Sequence, residues 1–96
     1  MFLTKLSQEK DRRNIRRHGV DFALARRIFD GPVVTGIDDR KDYGEVHEVS
    51  LGLVDSVLLG VVHTARDEAT RLIFARRANG RERSRHDEAF RQGHDP

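Results

Sequence analysis

The most apolar run in the chain is VLLGVVHT, residues 57–64, and its unbroken hydrophobicity marks a strand at the centre of a sheet. VVTGI (33–37) and VHEVSLGLV (46–54) precede it, separated by the turn-rich acidic segment DDRKDYGE (38–45). Asp55–Ser56 makes a tight turn into the central strand. Residues 66–68 make the next turn, and TRLIFARR (70–77) closes the sheet. Such short connections favour an antiparallel meander of four strands.

The flanks follow a helical period. Ser7 is placed to cap a helix running to His18, with Glu9 in its first turn and Gly19 as its stop. Lys10, Asn14 and His18 fall at i, i+4 and i+8, so they share one stripe of that helix. Asp21 caps a second helix with an apolar stripe of Phe22, Ala25, Ile28 and Phe29, and Asp-Gly-Pro at 30–32 ends it. Asn79 opens a third helix reaching about Gln92, with Glu82 three residues on completing a capping box. The order α-α-β-β-β-β-α predicts an α+β fold: two N-terminal helices, a four-stranded antiparallel sheet and a C-terminal helix.

Ninety-six residues suit one domain, and no repeat or linker divides them, so 1–96 reads as a single unit. Only 36% of the residues are hydrophobic and 35% are charged, so the core must be small. The net charge of +2 says little, but its distribution says more. Residues 1–31 carry a net +4, residues 32–75 a net −4 and residues 76–96 a net +2. Two basic ends folded onto one surface would attract a polyanion such as nucleic acid. Solvated helix faces would show the same composition.

The absence of cysteine excludes disulfides and thiol catalysis. No apolar run approaches the ~20 residues of a membrane span, and the N-terminal stretch lacks a signal-peptide core. A cytoplasmic protein without membrane association is the expectation. His18, His47, His63, His86 and His94 lack metal-ligand spacing, so no metal and no cofactor is expected. Glu45 and Glu48 fall on opposite faces of an alternating strand, and no nucleophile elbow or phosphate loop is present.

What remains is a set of cations and imidazoles. Cleaving RNA without metal requires removing a proton from the 2′-OH and returning one to the leaving 5′-oxygen. It also requires compensating the charge that builds on phosphorus. Arginine suits the last role because its fork meets phosphate at two points and keeps its proton. Histidine exchanges protons near neutrality. Lys10, His18, Arg76, Arg77 and His86 are of the required types. Each also has an ordinary use, Lys10 and Arg77 as solvent-facing cations, His18 as a helix-end residue and His86 as a surface one, so the case rests on the set.

Two segments resemble a known family. NIRRHGVDFALARRIFD (14–30) resembles the N-x-x-K-H-G-V-x-F-x-x-A-x-x-V-F-D segment of the BrnT family, and VVHTARDEATRLIFARRANGRER (61–83) resembles its second signature. The resemblance spans residues ~5–86 and leaves 93–96 as an expected disordered tail. Lys10, Asn14, His18 and Gly19 match the first motif; His63, Thr64, Arg66, Arg71, Ala75, Arg76, Arg77, Ala78, Glu82 and Arg83 match the second.

The resemblance implies a RelE/ParE-like fold and the toxin of a type II toxin–antitoxin module. Such a toxin is a metal-independent endoribonuclease that inhibits translation by cutting RNA. It implies a BrnA-like ribbon-helix-helix antitoxin as partner, assembled as a heterotetramer, and contact with DNA only through that complex. The site expected on this basis has Arg76, Lys10, His18 and His86 as catalytic residues and Arg66, Arg77 and Arg83 on the RNA.

The chain departs from the family pattern at several places. Phe74 stands where Ser is usual, His47 and Glu48 where an Arg-Tyr pair is common, and His86 near the position of a C-terminal Tyr. Leu6 and Ser7 replace a Trp-Asp. These departures leave two other functions open. One is a non-catalytic partner acting through antitoxin binding and promoter control; the other is a ParE-like inhibitor of a replication enzyme. Arg76 and Arg77 alternate across the strand, and Arg76 is the one assigned to catalysis.

Overall fold

The computed structural model describes residues 3–5, 8–38, 44–66 and 68–92, without the side chains of 3–5, 66 and 92. The elements run β1 (Leu3–Lys5), α1 (Gln8–His18), α2 (Phe22–Ala25) with a 3₁₀ turn (Arg26–Asp30), β2 (Val34–Ile37), β3 (Glu48–Val54), β4 (Val57–Arg66), β5 (Ala69–Arg77) and α3 (Gly80–Gln92). The fold is α+β, as expected. Strands β2 to β5 form the antiparallel meander, with β4 between β3 and β5. A short fifth strand, β1, joins β5 in parallel, giving the order β1-β5-β4-β3-β2.

Local signals account for most boundaries. Gly19 ends α1 with φ +70°, a conformation that costs glycine nothing, and its N–H donates to Ile15 O at 2.8 Å. Asp21 caps α2 by accepting from Ala23 N–H at 2.6 Å, while Asp11 on α1 accepts from Phe22 N–H at 2.8 Å. Two carboxylates thus fix the corner between the helices. Ser7, the expected cap of α1, lies outside the described residues, as do 93–96.

Leu51, Leu58 and Val62 are buried on one face of the sheet, while the main core cluster lies on the other. Val20, Phe22, Ala25 and Ile28 pack there on Val54, Leu59, Val61, Leu72 and Ala75. Burying Phe22 or Ile28 stabilises the fold by roughly 2–3 kcal/mol each. Gly52 permits the approach, since a Cβ there would sit 2.7 Å from Ile28 Cβ. A polar chain crosses the sheet beside this core: Thr35 Oγ1 meets Ser50 Oγ at 2.7 Å, and Ser50 Oγ meets His63 Nε2 at 2.7 Å. Burial lowers the pKa of His63, and Glu48 partly opposes that shift. His63 is therefore a satisfied core imidazole, with Phe29 edge-on at 5.2 Å.

The helices do not share a face. Ala75 joins the core, so Arg76 beside it projects to the opposite side. There Arg76 bonds Glu82 of α3. Helix α1 takes a third position, along the edge of β5. Asn14, buried in that helix, donates from Nδ2 to Ala75 O at 2.8 Å and accepts at Oδ1 from Ala75 N–H at 3.0 Å. It donates again from Nδ2 to Val20 O at 2.8 Å. One carboxamide thereby stands in for a strand partner at Ala75, beyond the end of β1.

Candidate nucleic-acid cleft

The edge seam between α1 and β5 opens into a cleft of about 410 Å³. One wall is helical. Lys10, Asn14 and His18, the expected stripe, all line it, and Arg13 and Arg17 join them from the adjoining row. Ile73, Phe74 and Arg76 of β5 form the other side. The register shifts between Val62 and His63, which pair with Phe74 and Leu72 and leave Ile73 without an opposite residue. This bulge sits where the strand meets the cleft.

His18 closes the helix-end side of the cleft. Its ring lies near-parallel to Phe74, with centroids 6.0 Å apart and planes at 24°. Its pKa is lowered from the ordinary 6.5, first by burial and then by the positive charges of Arg17 and Arg76. Near neutral pH the imidazole is therefore uncharged and able to accept a proton.

Arg76 is held from behind. Nη1 donates to Glu82 Oε1 at 2.7 Å and Nη2 to Glu82 Oε2 at 3.0 Å, a two-point pair with 22% and 13% of the side chains exposed. Nη1 also reaches Arg77 O at 3.5 Å. Among the described residues no hydrogen bond uses Nε–H, so the side edge of the guanidinium, Nε with the second Nη2 proton, is left to the cleft. Glu82 is anchored in turn. It forms the expected capping box, with Asn79 N–H donating to its Oε1 at 3.0 Å and its own N–H donating to Asn79 Oδ1 at 2.8 Å. The Arg76 hydrogen bond pulls the Glu82 carboxyl below its ordinary 4.5, against the opposing effect of burial; the Asn79 bond and the charges of Arg76 and Arg85 add to the lowering. Space for the guanidinium comes from Gly60 on β4, where a Cβ would lie 3.2 Å from Arg76 Nη1.

Three of the expected catalytic residues, Lys10, His18 and Arg76, thus meet in one cleft. His86 does not line it. The fourth residue is buried on α3 against Phe90, with ring centroids 4.6 Å apart. Among the described residues its Nδ1 finds no hydrogen-bond partner, and it stands 3.6 Å from Asp87 Oδ1. It turns inward because His86 and Phe90, four residues apart, lie on one face of α3. Arg77 and Arg83 are exposed and line no part of the cleft. The Arg66 side chain lies outside the described residues. Sequence reasoning missed Arg13 and Arg17, although their i+3 and i+7 spacing from Lys10 was the signal that could have found them.

His47 and Glu48 lie away from the cleft. His47 is buried with Nε2 3.4 Å from Glu45 Oε1, and Glu48 pairs in register with His63.

A family model described as the ribonuclease toxin BrnT of type II toxin–antitoxin systems matches residues 7–82. The chain belongs to the BrnT family. The matched span contains every residue lining the cleft and both members of the Arg76–Glu82 pair, and it stops short of Arg83 and His86. Membership places the protein among ribonuclease toxins that are paired with a protein antitoxin. Comparison with curated proteins returns no match. Among the described residues no helix is long and apolar enough to cross a membrane.

Proposed function

We propose that this BrnT-family chain is an endoribonuclease that cuts RNA in the α1–β5 cleft without a metal ion, and so inhibits translation. One observation carries the reading: Lys10, His18 and Arg76, distant in sequence, line one cleft with Arg13 and Arg17 beside them. The described lining includes no carboxylate, so the cleft attracts a phosphodiester and offers a divalent cation no oxygen-rich cage.

In this reading neutral His18 takes the proton of the 2′-OH, and the 2′-oxygen attacks phosphorus. The side edge of Arg76 binds the non-bridging oxygens and meets the charge that develops there. Lys10 supplies the ammonium that protonates the departing 5′-oxygen. The P–O5′ bond breaks, leaving a 2′,3′-cyclic phosphate and a free 5′-hydroxyl. Glu82 is a positioning residue, holding the far end of the Arg76 fork.

The partner is a BrnA-like ribbon-helix-helix antitoxin in a heterotetramer, whose acidic segment would neutralise the same cations. DNA is reached only through that complex, and the working compartment is the cytoplasm, where the RNA is. The test is a cleavage assay on the isolated chain in excess EDTA. A synthetic RNA should be cut to cyclic-phosphate ends, and the same oligonucleotide with 2′-deoxyribose at the cut site should survive. Loss of cleavage in EDTA, or cutting of the deoxy substrate, would contradict the mechanism.

A second reading is favoured by the Arg76–Glu82 pair, because a carboxylate already occupies one end of the guanidinium. There the chain cuts nothing and acts by binding the antitoxin and controlling its promoter. Tight complex formation with no cleavage of any RNA by the isolated, folded chain would identify it.

A further inference from the structure

Cations line the cleft, yet Phe74 and Ile73 make part of its surface apolar. Neither belongs to the buried core, and Phe74 is only half-buried, with the His18 ring near-parallel to it. A site that needed only to hold phosphate would gain nothing from an aromatic ring in its wall. Cations combined with an accessible aromatic ring are instead the means by which proteins hold single-stranded nucleic acid, the charges tracking the backbone and the ring receiving a base. A base inside a duplex is stacked on both faces and cannot take that place.

We propose that Phe74 is the base-binding platform of the cleft, stacking the unpaired nucleobase next to the phosphate that Arg76 holds. This rests on the ribonuclease reading for the identity of the polyanion and deepens it by naming the substrate class: single-stranded RNA with at least one unstacked base at the cleft. Phe74 and Arg76 are two positions apart on the same face of β5, about 6.4–6.8 Å along an extended strand. That span is close to the distance between a nucleotide's base and its phosphate. The bulge at Ile73 lies immediately before this pair. His18 covers one face of the platform from α1, so the base takes the other and the imidazole stands beside the bound nucleotide.

The test is a binding measurement that does not depend on cleavage. Short 2′-O-methyl oligonucleotides, which lack the nucleophile, are titrated by fluorescence anisotropy against the wild-type chain, Phe74→Ala and Phe74→Trp. Each is measured on an intact strand, on strands carrying one abasic site at each position in turn, and on the duplex form. The expected result is that Phe74→Ala weakens binding of the intact strand about tenfold, within the range of one base–aromatic stack. It should leave unchanged the binding of one abasic strand, the one lacking the stacked base. Phe74→Trp should bind the intact strand at least as tightly as wild type, and the duplex should bind most weakly to all but Phe74→Ala.

The proposal is overturned if Phe74→Ala weakens intact and abasic strands by the same factor, which would show a merely structural ring. It is overturned equally if Phe74→Ala binds the intact strand as wild type does. Thermal melts on all three chains separate misfolding from loss of the stack, and Phe74→Trp remains informative if the alanine variant does not fold. Cleavage of RNA without the abasic coupling would sink the platform and spare the ribonuclease. Coupling without any cleavage would do the reverse.

Discussion

The guanidinium of Arg76 and the carboxylate of Glu82 meet at 2.7 and 3.0 Å, joining the end of strand β5 to the first turn of α3. The two residues are six apart in sequence. Glu82 therefore does two things at once, capping its own helix and fixing the orientation of the one arginine in the cleft that comes from the sheet. Glu82→Gln separates these functions, because glutamine still serves in a capping box but bears no charge. The expected outcome is a loss of about 1–2 kcal/mol in stability, the value of a charge-assisted bond reduced to a neutral one. The cleavage rate should fall with little change in substrate affinity. A rise in activity would mean that Glu82 blocks Arg76 and does not position it.

The same pair sets an acid limit. Arg76 lowers the Glu82 pKa below its ordinary 4.5, so folding favours the ionised form. Its contribution is complete above the ordinary value and disappears as pH falls through the lowered one. Thermal melts of wild type and Glu82→Gln should therefore differ near neutrality and converge as pH falls through the lowered Glu82 pKa, below its ordinary 4.5.

His18 sets a limit on activity. Its pKa is lowered from 6.5 by burial and by Arg17 and Arg76, and in the proposed mechanism the neutral ring accepts the proton. The kcat/KM profile should rise with pH and level off with an inflection below 6.5. Arg17→Gln removes one of the charges lowering it, so the inflection should move up. An inflection unmoved by Arg17→Gln would place the titrating group elsewhere.

Asn14 carries the edge of the sheet. Asn14→Ala leaves the Ala75 N–H and C=O and the Val20 C=O without their partner, in a site only 4% exposed. The expected cost is about 2–3 kcal/mol, read by denaturant unfolding. Asn14→Asp should cost more, because it deletes both donors and buries a charge.

Gly60 and Gly52 offer a matched control. A methyl at Gly60 meets the Arg76 guanidinium at 3.2 Å, whereas one at Gly52 meets Ile28 Cβ at 2.7 Å. Gly60→Ala should displace the arginine and lower the cleavage rate roughly tenfold at nearly unchanged stability. Gly52→Ala should destabilise by about 1–3 kcal/mol through overpacking and leave the rate of the folded chain alone.

These residues also show what the chain made legible. Gly19, Asp21 and the Asn79–Glu82 box could be read directly, because caps and stops act over three or four residues. The alternating and continuous apolar runs marked β2 to β5 for the same local reason. Strand β1 could not be read, since three residues gain strand character only from parallel pairing with residues 69–71. Residue type and the family resemblance brought Lys10, His18 and Arg76 together, whereas Arg13 and Arg17 could have been found only by extending the Lys10 stripe to its i+3 and i+7 neighbours. His86 was misplaced because its type suited proton transfer while its position relative to Phe90 turned it into the molecule. The role of Asn14 was hidden for another reason. Nothing local says that an amide on a helix will complete a strand sixty-one residues away.

The central claim is that the α1–β5 cleft, and not the exposed arginines of the β5–α3 junction, cuts RNA. The most direct measurement is the single-turnover cleavage rate of Lys10→Ala, His18→Ala and Arg76→Lys beside Arg77→Ala and Arg83→Ala, each verified as folded by thermal melt. The account predicts losses of about a hundredfold or more for the first three and only a few-fold for the last two, from weakened phosphate attraction. Near-wild-type cleavage by the first three with loss in Arg77→Ala or Arg83→Ala would contradict it.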